Sequence, residues 1–245
     1  MKKVQTIQIE ILGQYLPIKV YHEDRKGTRF SIGAKHIILR FPYWLPEANQ
    51  KSDFIKFKIW LEESFANNEK LRDKYFGKSY QDGDTLKVGN RFYTLRFEYV
   101  DAKNHKARIH NGTIYFQLCQ DAAKGSIKQS IRKMLSRLIA ADFKPEIARR
   151  VNEFNNMHFR MPVKSLNFKY NQTNWGSCSN KGNLNLSTRL LFAPDDVVDY
   201  VIIHELAHLI ELNHSGKFWK LVSNAMPNYE EKEEWLKENG HLCHF

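Results

Sequence analysis

The chain of 245 residues carries only three cysteines, Cys119, Cys178 and Cys243. A set this small, odd in number and widely spaced builds no disulfide framework. It predicts a reducing compartment, most simply the cytoplasm. No run of eighteen apolar residues occurs, so no membrane-spanning helix is expected. The opening MKKVQTIQIEILG alternates polar and apolar after a basic start, unlike the unbroken apolar block of a secretion signal. Internal repeats, low-complexity tracts, a glycine-rich phosphate loop and a familiar nucleic-acid recognition motif are all missing. Disulfide scaffolds, membrane spans, solenoids and P-loop enzymes are thereby disfavoured.

What is present is an ordinary globular composition, 42% hydrophobic and 13% aromatic, long enough to bury a core unaided. The net charge of +11 is unevenly placed. Residues 1–160 hold 30 Lys and Arg against 17 Asp and Glu, a balance of +13; residues 161–245 hold 8 against 10, a balance of −2. A basic surface attracts nucleic acid or another polyanion, or simply keeps the chain solvated.

Periodicity predicts an α+β fold with a β-rich front. VQTIQIEIL alternates, with Val4, Ile7, Ile9 and Ile11 apolar, and PIKVYH, TRFSIG and HIILRF are further short strands. Hairpins are expected about Gly89-Asn90 and Asn111-Gly112. One helix interrupts this region, with Phe54, Phe57, Leu61 and Phe65 on a single face. From about Ser126 the pattern turns helical, and Pro145 is expected to open a second helix, PEIARRVNEFNNM. Short strands follow at SLNFKY, NWGSCS and NLNLS, then a helix beginning near Pro194 with Asp195 and Asp196 at its positive end. The expected division is a β-rich domain over 1–122 and a catalytic domain over 123–245.

That last helix contains HELAHLIELNH, His204 to His214. His204 and His208 lie four apart, about 40° around a helix, so both imidazoles reach one ion of the zinc class. Glu205, rotated off that face, is placed to take a proton from a zinc-bound water. A catalytic zinc needs a third protein ligand and an open fourth position. His214 supplies the third only if the helix stops first; Asn213, in a left-handed conformation, is the expected stop, and Ser215 the N-cap of the next helix. Rival third ligands are Glu230, Glu231, Glu233 and Glu234, although their density also suits the solvated face of a terminal helix. The spacing matches that of metzincins, but Glu211 stands where those carry glycine, and Met226 comes too early for their Met-turn. Chance alone places H-E-x-x-H in such a composition with a probability of about 3%.

The segment NWGSCSNKGNLNLSTRLLFAPDDVVDYVIIHELAHLIELNHSGKFWKLV, 174 to 222, resembles the YgjP-like metallopeptidase family, zincin-like proteins related to the SprT type. The likeness rests on Trp175 to Ser179, Gly182 to Asn185, Pro194, the H-E-L-A-H stretch and Asn213 to Trp219. It implies His204, His208 and His214 as zinc ligands and Glu205 as catalytic base. It also implies a zincin-like domain with a small sheet lying across the active-site helix.

Several residues carry weaker expectations. Cys178 can approach the metal as a thiolate or merely pack. Trp175 is expected to be structural. An edge strand at NWGSCS or NLNLS can pair with an extended peptide or with its own sheet. Phe218 and Trp219 are expected to lock the following helix against the ligand helix. His241, Cys243 and His244 suggest a frayed tail before a second metal site. The leading expectation is a cytoplasmic zinc peptidase, with one Zn2+ per chain and a peptide or protein substrate. The alternatives are a nucleotide or phosphoanhydride hydrolase and a nucleic-acid-associated protein, including a protease that acts on DNA-bound protein.

Overall fold

The computed structural model describes residues 3–12, 14–33, 36–121, 124–171 and 173–245. The fold is α+β, and the chain divides into two units, Met1–Lys78 and Ser79–Phe245. The boundary expected at 122/123 falls on residues outside those described.

The first unit holds β1 (Lys3–Ile11), β2 (Gln14–Glu23), β3 (Arg29–Ile32) and β4 (Ile37–Pro42), followed by α1 (Glu47–Ala66) and α2 (Glu69–Phe76). The strand order is β1-β2-β4-β3, with β2 and β4 parallel. Ile9 and Ile11 of β1 face inward, whereas Val4 is one position out of phase and 52% exposed. The predicted helical stripe is real: Phe57, Leu61 and Phe65 are fully buried against Ile18, Ile37 and Leu39 of the strands.

The second unit opens with β5 (Thr85–Val88), β6 (Arg91–Val100), β7 (Lys106–His110) and β8 (Thr113–Cys119), in the order β5-β6-β8-β7. Both predicted hairpins form. This order repeats that of the first sheet, hairpin for hairpin, so the chain contains a repeated topology that its sequence does not display. Next comes α3 (Lys124–Phe154), one helix where two were expected. Pro145 lies inside it. A proline removes one helical hydrogen bond and crowds the preceding turn. Here Pro145 and Ala141 both face solvent, while Ile131, Leu135, Ile139, Phe143, Ile147 and Val151 keep one buried stripe in phase through the proline. Core burial outweighs the local penalty.

A π-helical turn at Asn155–Phe159 ends α3. A three-stranded sheet follows, β9 (Ser165–Lys169), β10 (Gly176–Cys178) and β11 (Asn183–Ser187), ordered β10-β11-β9. The remaining helices are α4 (Asp195–Ala207), α5 (Gly216–Ala225) and α6 (Tyr229–Asn239). One continuous apolar cluster joins β5–β8, α3, β11 and α4. Leu135, Leu184, Ile202 and Ile203 are fully buried within it.

Candidate metal centre

Helix α4 begins directly after Pro194, with Asp195 and Asp196 in its first turn as expected. Two distant cations anchor that end. Arg150 of α3, 8% exposed, donates to Asp199 Oδ1 at 2.7 Å and to Asp195 Oδ1 at 3.1 Å. Lys232 of α6 reaches Asp196 at 2.8 Å. Burial raises the Asp199 carboxyl above its ordinary range, with Arg150 pulling the other way. Arg150 escaped the sequence reading because its partners lie 49 and 45 positions away.

The far end of α4 corrects the sequence reading. The helix stops at Ala207, not near Leu212, and Asn213 is not among the residues with positive φ. The Leu209 and Ile210 N–H groups bond to the Leu206 and Ala207 carbonyls, tightening the last turn. His208 Nδ1 donates to the Glu211 carbonyl at 3.1 Å and holds the departing chain close. Ser215 N–H then bonds to the Asn213 carbonyl at 2.8 Å, closing a three-residue turn with His214 at its centre. Ser215 Oγ caps α5, accepting from Phe218 N–H at 3.4 Å.

These turns bring His204, His208 and His214 together, with one ligand atom of each within 4.8 Å of the others. The Nε2 atoms of His204 and His214 are 3.0 Å apart. Two nitrogens at 2.0–2.1 Å from a tetrahedral ion stand about 3.3 Å apart, so the spacing is close to that of co-ligands. The bond from His208 Nδ1 leaves its Nε2 as the lone-pair nitrogen, the tautomer that a ligand needs. Phe218 packs against all three rings at centroid distances of 4.9, 4.5 and 4.7 Å. Trp219 stacks on His214 at 5.8 Å. Both aromatics lock α5 to α4, as expected.

Burial pushes His204 down to about 4 and lowers His208 as well, so both are neutral donors near pH 7. Burial also pushes Glu205, 5% exposed, up to about 8. His204 Nδ1 and Glu205 Oε2 are buried without hydrogen-bond partners among the described residues. An unpaired buried carboxylate is costly, and a dication beside it offsets that cost. Three neutral nitrogens next to an unmatched acid therefore fit a divalent metal.

Strand β10 closes on Glu205 from its other side. A Cβ at position 176 would stand 2.5 Å from Glu205 Oε1, so this approach requires Gly176. Both line a cleft of about 570 Å³ that also takes in Cys178, Tyr200, Glu233 and the three histidines. Burial and the nearby Glu205 push the Cys178 thiol up to about 11, so it is neutral near pH 7 and stands outside the converging donors. The downstream glutamates also stay outside that group. Glu233 lines the cleft but pairs with Lys237 at 3.5 Å, Glu234 pairs with the same lysine, and Glu231 pairs with Lys232.

Residues 26–239 match the YgjP-like metallopeptidase domain. The chain belongs to the YgjP-like family. A divalent metal and a peptide or protein substrate go with a metallopeptidase of this kind. No curated protein matches. Two solved structures are similar to part of this YgjP-like chain. One is the metallopeptidase zymogen of Pyrococcus abyssi abylysin, at 22% identity and a TM-score of 0.35 over 38% of this chain and 93% of that one. The other is the metallopeptidase zymogen of Methanocaldococcus jannaschii jannalysin, at 26% identity and a TM-score of 0.33 over 39% and 96%.

Two further features of the YgjP-like chain concern its end. The tail is not frayed. Arg189 donates to the Cys243 and Gly240 carbonyls at 2.7 and 2.6 Å, and Phe245 is buried against Phe192. The same Arg189 lies over the Trp175 ring at 4.7 Å, and a Cβ at Gly240 would meet that ring at 2.5 Å. Trp175 is thus structural, clamped between an arginine and the C-terminal turn. His241, Cys243 and His244 form no converging donor group among the described residues. No helix among those residues is long and apolar enough to cross a membrane.

Proposed function

We propose that this metallopeptidase uses zinc, that His204, His208 and His214 hold it, and that Glu205 is the general base. The observation that carries this reading is the convergence of three imidazoles beside a buried carboxylate on a cleft wall. Zinc suits three neutral imidazoles with a fourth position open, and when bound supplies Lewis acidity toward a water and the scissile carbonyl. Glu205 takes the proton of the attacking water and hands it to the leaving amine. Its place against Gly176 fixes where that proton is held. Phe218 and the Glu211 carbonyl orient the imidazoles. Strand β10 is a sheet edge on the cleft, and its outward backbone groups suit an extended peptide laid beside it. The three cysteines, none of them in a disulfide among the described residues, support a reducing compartment such as the cytoplasm.

The purified protein is expected to carry one zinc and to hydrolyse unfolded casein. Glu205→Gln is expected to slow hydrolysis by about 10²–10⁴ with zinc content unchanged, and His214→Ala to lower zinc content. Full activity in Glu205→Gln overturns the assigned base. Cleavage of nucleoside triphosphates without cleavage of casein overturns the peptide reading in favour of phosphoanhydrides.

A further inference from the structure

The second unit has another cleft, of about 600 Å³, between α3 and β9. Its charged walls are all cationic: Arg132, Lys133, Arg137 and Lys144 from the helix and Lys169 from the strand. None of the five forms an ion pair among the described residues. The acids of α3 are engaged elsewhere, Asp142 and Glu146 with Arg91 at 2.7 and 2.6 Å, and Glu153 with Arg149 at 2.6 Å.

Spacing explains the groove. Positions 132, 136, 140 and 144 follow in steps of four, as do 133, 137 and 141, so they share one helix face. Ser136, Ala140 and Ala141 are small and line the groove between the cations. From Arg132 to Lys144 the face runs for about 18 Å. On the strand side the Arg132 guanidinium lies 5.4 Å over the ring of Tyr170. Unpaired cations along a concave track, with an aromatic ring beside them, are the features that hold a single nucleic-acid strand: phosphates on the cations and a base against the ring. A duplex is convex and stiff and keeps its bases stacked inside, away from a ring such as that of Tyr170.

We infer that this groove binds single-stranded nucleic acid. The inference does not depend on the metal or on the bond cleaved in the other cleft. The test uses the full chain and a 5′-labelled oligothymidylate, followed by fluorescence anisotropy across a salt series. Binding is expected to weaken with salt at a log–log slope of about −0.7 per phosphate engaged, near −3.5 if all five cations take part. Arg137→Glu/Lys144→Glu/Lys169→Glu is expected to lose at least about tenfold in affinity with peptide hydrolysis unchanged. The charge-matched Lys87→Glu/Lys106→Glu/Arg108→Glu, on the exposed face of the β5–β8 sheet, is expected to lose less than about threefold. Tyr170→Leu is expected to lose about tenfold with the salt slope unchanged. Glutamine in place of glutamate at the three groove positions gives the same test if the charge reversal lowers the melting temperature. No binding at about 50 mM salt overturns the inference, as do equal losses in the two triple variants. A duplex of equal length bound as tightly, or inorganic polyphosphate competing as well as the oligonucleotide, overturns the choice of a single strand.

Discussion

Sheet β1–β4 and sheet β5–β8 are built to one plan and put to different uses. Each joins two antiparallel pairs through a parallel contact between its second and fourth strands, and a long helix follows each. Helix α1 has 20 residues, and its buried face closes a core with β1–β4 and α2. Helix α3 has 31 residues and packs in the apolar cluster that also contains α4 and β11. Its added length beyond Pro145 carries Arg150, which anchors the start of α4. A sheet covered by α1 and the short α2 makes a closed unit; the same sheet with a longer helix can support a site.

The largest effect that would break this comparison comes from a pair of core truncations. Leu61→Ala and Leu135→Ala each remove a fully buried side chain and are each expected to cost about 2–5 kcal/mol. Only Leu135→Ala is expected to lower metal content and hydrolysis, and equal losses in both would mean that the two units act as one. Metal removal comes next. Chelation is expected to lower the melting transition of the second unit by about 2.7 kcal/mol relative to metal at 100 times its Kd. The transition of the first unit should not move in calorimetry of the same sample. Gly176→Ala is smaller, because the three atoms nearest its Cβ all belong to Glu205, which it displaces. At least a tenfold fall in kcat is expected, about 1.4 kcal/mol, with metal content retained. Ser215→Ala removes the cap of α5 and is expected to cost about 1 kcal/mol. It sharpens the comparison if that loss appears only in the transition that chelation also shifts.

Much of this was legible in the residues. The spacing of Phe57, Leu61 and Phe65, both hairpins of the second sheet and the start of α4 all follow from local periodicity and turn chemistry. Other features were not. Pro145 marks a helix start in any local reading, but the stripe from Ile131 to Val151 keeps the helix whole, because tertiary burial outweighs a solvent-facing proline. The tail looked loose until Arg189, more than 50 positions upstream, was seen to hold it. The repeated strand order escaped notice because topology survives without matching residues.

The sequence by itself determined which groups stand ready in the candidate site: two histidines one helical turn apart, a glutamate beside the first, and a third histidine six residues on. The tertiary structure decided how the third arrives. No left-handed Asn213 ends the helix. The chain leaves α4 at Ala207, is held by the His208 bond to the Glu211 carbonyl, and is turned at His214 before Ser215 starts α5. Residue types and short spacings are written along the chain, whereas the turn held by the His208–Glu211 bond and a buried Phe218 beneath three rings exist only once α4 and α5 have folded against each other.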